Sequence, residues 1–298
     1  MRKTRILAGI GLTAAALLTL SACNSGTPGA SPDESGEASE ALWEVATEVD
    51  LTDSPTYDAM VERDGVVVGV KNDQPGLGIE DPVSGERSGF DVDIARWIAA
   101  SLGFSEDQIE YVTIPSANRE QAIVNGDIDY YVGTYSITDS RKEQIDFAGP
   151  YFITGQGLLV AADNEDINGP EDLAGKIVCS VTGSTPLQRI RDEYNPGDTV
   201  EYDTYSQCVE QLVAGSVDAI TTDEAILAGY VAERPDDLKI AGEPFSEERY
   251  GVGLPKGDTA LKDWINTLFT DGGDVWTALF DQHLAPAGIS GDQPAVDE

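Results

Sequence analysis

Positive charge is what this chain has least of. Its 298 residues carry 18 lysines and arginines against 54 aspartates and glutamates, a formal net charge of −36. Phosphate contacts need a basic face, so nucleic acid is excluded as a partner. Histidine is scarcer still: His283 stands alone, and no Ser-His-Asp or Cys-His set can be assembled around it with any economy. Three cysteines without CxxC spacing and a single histidine make a poor zinc set. Asp91-x-Asp93 and Asp163–Asp166 lack the glycine and terminal glutamate of a calcium loop, and read as solvated or capping acids. Thr182-Gly-Ser-Thr185 lacks the lysine and the spacing of a phosphate loop. No metal or cofactor is expected. A catalytic carboxylate remains open in so acidic a chain, and an enzyme, for example of dehydratase type, is the alternative to a binding protein.

What is present begins at the N-terminus. Met1–Arg5 is basic, and Ile6–Leu20 is apolar but too short for a comfortable membrane span. Leu20-Ser-Ala-Cys23 follows, which resembles the lipobox of bacterial lipoproteins; the alternative is a plain secretory signal with an incidental cysteine. The resemblance implies a signal peptide over 1–22, a lipid on Cys23, and a mature chain tethered to the outer face of a membrane without a spanning helix. Residues 1–22 hold three of the 18 basic residues and none of the 54 acidic ones, so the mature chain would keep 15 against 54, or −39. Export leaves Cys179 and Cys208 as an even pair in an oxidising compartment, where a disulfide is expected. Residues 23–56 read as the lipidated cysteine and a flexible tether, rich in Ser, Gly, Pro and acids up to Asp50, with a short helix at Ala38–Val49.

Strand and helix then alternate, which argues for α/β layers with mostly parallel strands. Val66–Val70 and Ile109–Ile114 are strand candidates, and Asp129–Gly133 is a third. Between the first two lies a helix with Ile94, Trp97, Ile98 and Leu102 on one face, capped by Asp91 and stopped by Gly103. Ser116 is placed as the cap of the next helix. An internal echo carries more. Glu120–Asp129 is matched by Val209–Asp218: an apolar helix end, a glycine stop, then Ile-Asp or Val-Asp opening a strand. Gly65–Val70 is matched in kind by Gly175–Val181. Two echoes in the same order imply two similar lobes. Further on, Ala219–Asp223 is a strand ending on an acid, Glu248–Leu254 a crossing strand, and Thr259–Phe269 and Val275–Leu284 are helices, with Leu261, Trp264, Ile265 and Leu268 on the buried face of the first.

The stretch Ser136–Phe152 puts Arg141 just past the strand Tyr130–Gly133 and leads through "DFAGPY" into the extended run Gly157–Val160. A guanidinium there offers a planar two-pronged donor to a carboxylate. With "GFDVDIARWIA" (89–99) and "GSVDAITTDEAIL" (215–227), this resembles the polar amino-acid-binding proteins of ABC importers over nearly the whole chain past Tyr57. The resemblance implies the two-lobed type II periplasmic-binding fold, each lobe a mostly parallel sheet flanked by helices, with two crossing hinge strands. Lobe 1 would be 57–153 with 254–287, lobe 2 158–246, and 288–298 a disordered tail.

It also implies the site. Arg141 and Ser136 would take a ligand α-carboxylate, aided by Thr185 in the loop Thr182–Pro186, where Ser184 and Thr182 add hydroxyls at a helix start. Asp223 would take the ammonium with the Thr134 carbonyl; as a strand-end acid it is equally a helix cap. Ser116-Ala-Asn-Arg119 is similar to the Ser-x-x-Arg of glutamate/aspartate binders, where the arginine meets the distal carboxylate. "KNDQPGLG" (71–78) resembles the matching loop of actinobacterial glutamate-binding lipoproteins and adds Lys71 and Gln74. Asn118 stands where some basic- and amide-specific relatives place an aromatic. The expected function is the binding component of an ABC importer, a monomer with permease subunits as partners and glutamate as ligand; glutamine or another polar amino acid is the alternative.

Overall fold

The computed structural model describes residues 42–297. The signal segment 1–22 and Cys23 lie outside the described residues. Helix α1 (Pro55–Arg63) opens with Ser54 as its cap, the Ser54 hydroxyl accepting from Tyr57 N. Strand β1 (Val66–Val70) follows, then the short antiparallel strands β2 (Asp73–Gln74), β3 (Gly78–Glu80) and β4 (Arg87–Ser88). Helix α2 (Phe90–Ser101) is buried along most of its length, as its apolar spacing demands. Next come β5 (Ile109–Thr113), α3 (Arg119–Asn125), β6 (Tyr130–Tyr131) and the single turn α4 (Asp139–Lys142). The first crossing strand is β7 (Asp146–Thr154), which continues through Gly155 into β8 (Gln156–Ala161).

The second half repeats the plan: β9 (Ile177–Val181), α5 (Thr185–Glu193), β10 (Asp198–Tyr202), α6 (Tyr205–Val213), β11 (Ala219–Asp223), α7 (Glu224–Glu233) and β12 (Leu238–Ala241). The chain then returns along β13 (Glu248–Leu254) to helices α8 (Thr259–Asp271) and α9 (Gly273–His283). Two five-stranded sheets result, ordered β5-β1-β6-β13-β7 and β10-β9-β11-β8-β12. In each, the strands at one side are parallel (β5, β1, β6; β10, β9, β11) and the remainder antiparallel. This is a two-lobed α/β fold of type II.

The internal echo has a physical basis. Asp129 accepts Val67 N through its carboxylate and donates its own N to Val67 O at 2.8 Å. Asp218 does the same with Ile177, with distances of 2.7 and 2.8 Å. Each Ile/Val-Asp step therefore clamps the incoming strand onto the strand that opens its repeat, β1 in one sheet and β9 in the other. Cys179 on β9 and Cys208 on α6 form a disulfide with Cα atoms 5.7 Å apart.

The crossing strands β7 and β13 pair antiparallel from Asp146–Leu254 to Thr154–Glu248. They touch again as they leave the first sheet: a Cβ on Gly155 would fall 2.5 Å from Ser246 O, so only glycine fits.

Four local expectations differ from the structure. Asp91 does not cap α2; Gly89 holds that position, and the Asp91 carboxylate lies in the core, accepting from Thr134 N at 2.9 Å and Tyr151 OH at 2.8 Å. Asp93 is likewise buried rather than solvated, paired with Arg96 and His283. Residues 42–49 hold no helix, and 42–56 follow the core rather than hanging off it: Trp43 and Leu51 pack against it and Ala46 N donates to Ala100 O. Nor does the tail trail away. Arg249 pairs with Asp297, Asp297 N donates to Gly149 O at 2.8 Å, and Gln293 bonds Phe269 O. Composition marks both segments as polar, yet a few apolar and paired side chains suffice to dock them.

Candidate functional site

Between the sheets, three segments of the first half face two of the second. After β6, Thr134 takes a left-handed conformation (φ 46°), held by the Asp91 carboxylate on its N–H. That bend sends Tyr135 inward and brings Ser136 beside Tyr250 of β13 in an isolated bridge. Thr138 caps α4 by accepting from Arg141 N, which starts the Arg141 side chain back toward the cleft.

Arg141 is buried, and each of its three side-chain nitrogens donates once, which leaves two of its five N–H groups uncommitted among the described residues. Its Nη1 donates to Ser136 O at 2.7 Å, Nη2 to Gly183 O at 3.1 Å and Nε to Glu120 at 3.0 Å. Arg119 is buried too, not an exposed helix arginine; it donates to Ser116 O at 3.1 Å and, at 3.4 Å, to Thr134 O and Gly183 O. Both guanidiniums lie over the Tyr135 ring, 4.3 Å (Arg119) and 4.8 Å (Arg141) from its centre. Burial, and then the neighbouring Arg119 charge, lower Arg141 to about 10. Lys71 forms a third cation behind them: its Nζ donates to Ser116 Oγ at 2.8 Å, and burial brings it down to about 7. Ser116 is thus not a helix cap. Gln74 accepts from the Thr134 hydroxyl at 3.1 Å, while its Nε2 has no partner among the described residues.

From the second half come the start of α5 and the end of β11. Ser184 caps α5, accepting from Leu187 N. The Thr185 hydroxyl donates to Glu248 at 3.0 Å and lies 3.2 Å from Ser136 Oγ. Thr182 does not join them; its N–H serves Tyr202 O and its hydroxyl turns to Glu201. Asp223 ends β11 at the cap position of α7 yet makes no capping hydrogen bond. One carboxylate oxygen accepts from Tyr250 OH at 2.7 Å, and the other has no partner among the described residues. Burial, reinforced by the Glu248 charge, raises Asp223 to about 8.

Ser116, Arg119, Thr134, Ser136, Ser184, Thr185 and Asp223 border one small cavity of about 10 Å³, which Pro186, Tyr205 and Ile226 also line. Arg141, with Ser184 and Thr185, borders an adjoining opening of about 270 Å³. Lys71 and Gln74 stand one layer back. Sequence reasoning passed over four residues that build this site: Tyr135 beneath the two arginines, Glu120 behind Arg141, and Glu248 and Tyr250 of β13. A glutamate directly after Arg119 and an aromatic directly before Ser136 were the available signals.

Two α/β lobes joined by paired crossing strands around a buried, charged cleft define an extracytoplasmic solute receptor. The chain belongs to the bacterial extracellular solute-binding proteins, family 3, matched over residues 66–272. It is a solute-binding protein of ABC amino acid transport. It is 41% identical over 283 residues to the glutamate-binding protein GluB of Corynebacterium glutamicum, covering 90% of this chain and 87% of that one. To the glutamine-binding protein GlnH of Bacillus subtilis it is 36% identical over 267 residues, 89% of this chain and 90% of that one. Among solved structures it resembles an ancestral arginine-binding protein bound to arginine (31% identity, TM-score 0.67, 74% and 97% of the two chains). It also resembles the cysteine-binding protein of Campylobacter jejuni (27%, TM-score 0.74, 82% and 99%). The family and these neighbours are solute-binding receptors. Among the described residues no helix is long and apolar enough to cross a membrane.

Proposed function

We propose that this receptor binds glutamate between its lobes and delivers it to the permease subunits of an ABC importer. The observation that carries this reading is the arrangement of charge in the cleft. Arg119 and Arg141 are both buried against one ring, and across the cavity Asp223 presents a carboxylate oxygen with no protein partner. Arg141 with Ser136 and Thr185 would hold the α-carboxylate, Asp223 the ammonium, and Arg119, backed by Lys71 through Ser116, the distal carboxylate. Glutamate and Asp223 then offset the two guanidiniums, as buried charges require. Thr134 O and Ser184 would complete the polar wall.

Glutamine is the second reading, favoured by the likeness to the glutamine-binding relative and by Glu120, which already neutralises Arg141. A cavity of about 10 Å³ admits no more than a water, so an amino acid must enter with the lobes parted and be enclosed as they close. In this reading the lobes are 57–153 with 254–287 and 158–246, hinged on β7 and β13. The signal over 1–22 is removed and Cys23 carries the lipid that anchors a monomer to the outer face of the membrane. Thermal-shift screening of ligand-stripped protein against the amino acids tests the ligand: glutamate should give the largest rise, and a rise for glutamine alone would replace it. Cys23→Ala should release the protein into the medium; retention in the membrane fraction would contradict lipid anchoring.

A further inference from the structure

Helix α6 begins with a capping box, Thr204 and Gln207 each accepting the other's N–H. That leaves the first two helical N–H groups, on Tyr205 and Ser206, without a partner in their own lobe. Both donate to a single oxygen of Asp73, at 2.8 and 3.2 Å. Asp73 opens β2 in the small antiparallel sheet that follows β1, so it comes from the other side of the cleft. Tyr230 of α7 adds its hydroxyl to the carbonyl and carboxylate of the same residue. Beside it the backbones press together: a Cβ on Gly229 would fall 2.2 Å from Pro75 O. The Cys179–Cys208 disulfide ties α6 to β9, so the helix start is held in place to receive the carboxylate. The same short loop carries Lys71 and Gln74 at the cleft.

We propose that Asp73 is a closure latch, a carboxylate of one lobe that completes the helix start of the other and so holds the receptor closed through contacts no ligand makes. Parting the lobes returns the Tyr205 and Ser206 N–H groups to water and exposes the helix terminus without its counter-charge. The latch therefore raises the population of the closed form in the absence of ligand, and every ligand gains the same factor in apparent affinity. Asp73 is a positioning residue in this scheme, not a ligand contact. The inference goes beyond the glutamate reading and does not need it.

The experiment measures interlobe distance in the full receptor without ligand, using spin labels on cysteines placed at the exposed positions Val124 and Val213. Asp73→Ala should cut the closed-to-open ratio by roughly tenfold, the scale of losing one helix-capping side chain. Asp73→Asn, which keeps a capping oxygen, should fall between. Gly229→Ala, which obstructs the approach of Pro75 and leaves the carboxylate intact, should shift the ratio the same way. Stopped-flow with glutamate and with glutamine should show faster dissociation by a common factor, with association no slower than in the native protein. Distance distributions identical in the native protein and all three variants would overturn the latch. So would an effect confined to one amino acid, because Asp73 would then be reading the ligand.

Discussion

Arg141 shows how a single residue can be committed before any ligand arrives. Three of its five N–H groups reach Ser136 O, Gly183 O and Glu120, and its charge is already opposed by burial and by Arg119. If Arg141 takes the ligand carboxylate as proposed, that carboxylate relieves a cost that the protein bears when empty. Arg141→Ala should weaken every amino acid ligand by about 2–5 kcal/mol, the usual penalty for breaking a buried charge pair on one side. Affinities like those of the native protein, measured by titration, would remove it from the site. Asp223 makes a prediction of opposite kind. In the folded chain it keeps its proton up to about pH 8, whereas its ordinary value is 3.8. The folded state therefore binds the extra proton between those values, and Asp223 draws stability down as pH rises from about 4 to 8. Lys71, brought down to about 7 from 10.5, works the other way above pH 7, because there the unfolded chain holds the extra proton. Asp223→Asn isolates the first effect. Without ligand, its denaturant midpoint should gain on the native protein steadily from pH 5 to pH 8. A constant difference would mean that Asp223 is not held protonated.

At the scale of elements, strands were legible where composition alone suffices. Val66–Val70, Ile177–Val181, Ala219–Asp223 and Glu248–Leu254 are apolar or Gly-rich runs bounded by turn residues, and all four lie where those runs place them. Acidic residues near helix starts were not legible. Asp91 has the sequence neighbourhood of a cap, but its role is set by Thr134 and Tyr151, which are 43 and 60 residues away. No local rule can report partners at that separation. The Arg119 and Arg141 positions were readable from motifs, while Tyr135, which places both, was not, since an aromatic in a Tyr-rich strand end looks like ordinary core. Asp91→Ala should leave the Thr134 N–H and Tyr151 OH buried without an acceptor, costing about 1–3 kcal/mol for each. Chemical denaturation measures it, and a change below that range would mean that water replaces the carboxylate. Reducing Cys179–Cys208 should lower stability by about 2–4 kcal/mol, as expected for a loop of this length. An unchanged midpoint under reductant would show that packing between β9 and α6 suffices.

For the whole molecule, the strong acidity and the basic cleft belong together. A chain with net charge −36 repels anions over most of its surface, yet it gathers Arg119, Arg141 and Lys71 within one buried cluster. On the glutamate reading, that concentration against the prevailing field is what would favour an acidic amino acid over a neutral one. The two crossing strands on which the proposed closure would hinge are paired with each other, and the tail at Asp297 ties itself to both of them through Arg249 and Gly149. The central claim is that Arg119 reads the ligand's distal carboxylate. Calorimetric titration of ligand-stripped native protein and Arg119→Ala with glutamate, aspartate and glutamine tests it most directly. The account predicts that the native protein prefers glutamate and that the variant loses affinity for the two acidic ligands far more than for glutamine. Equal losses for all three, or a native preference for glutamine untouched by the substitution, would contradict it.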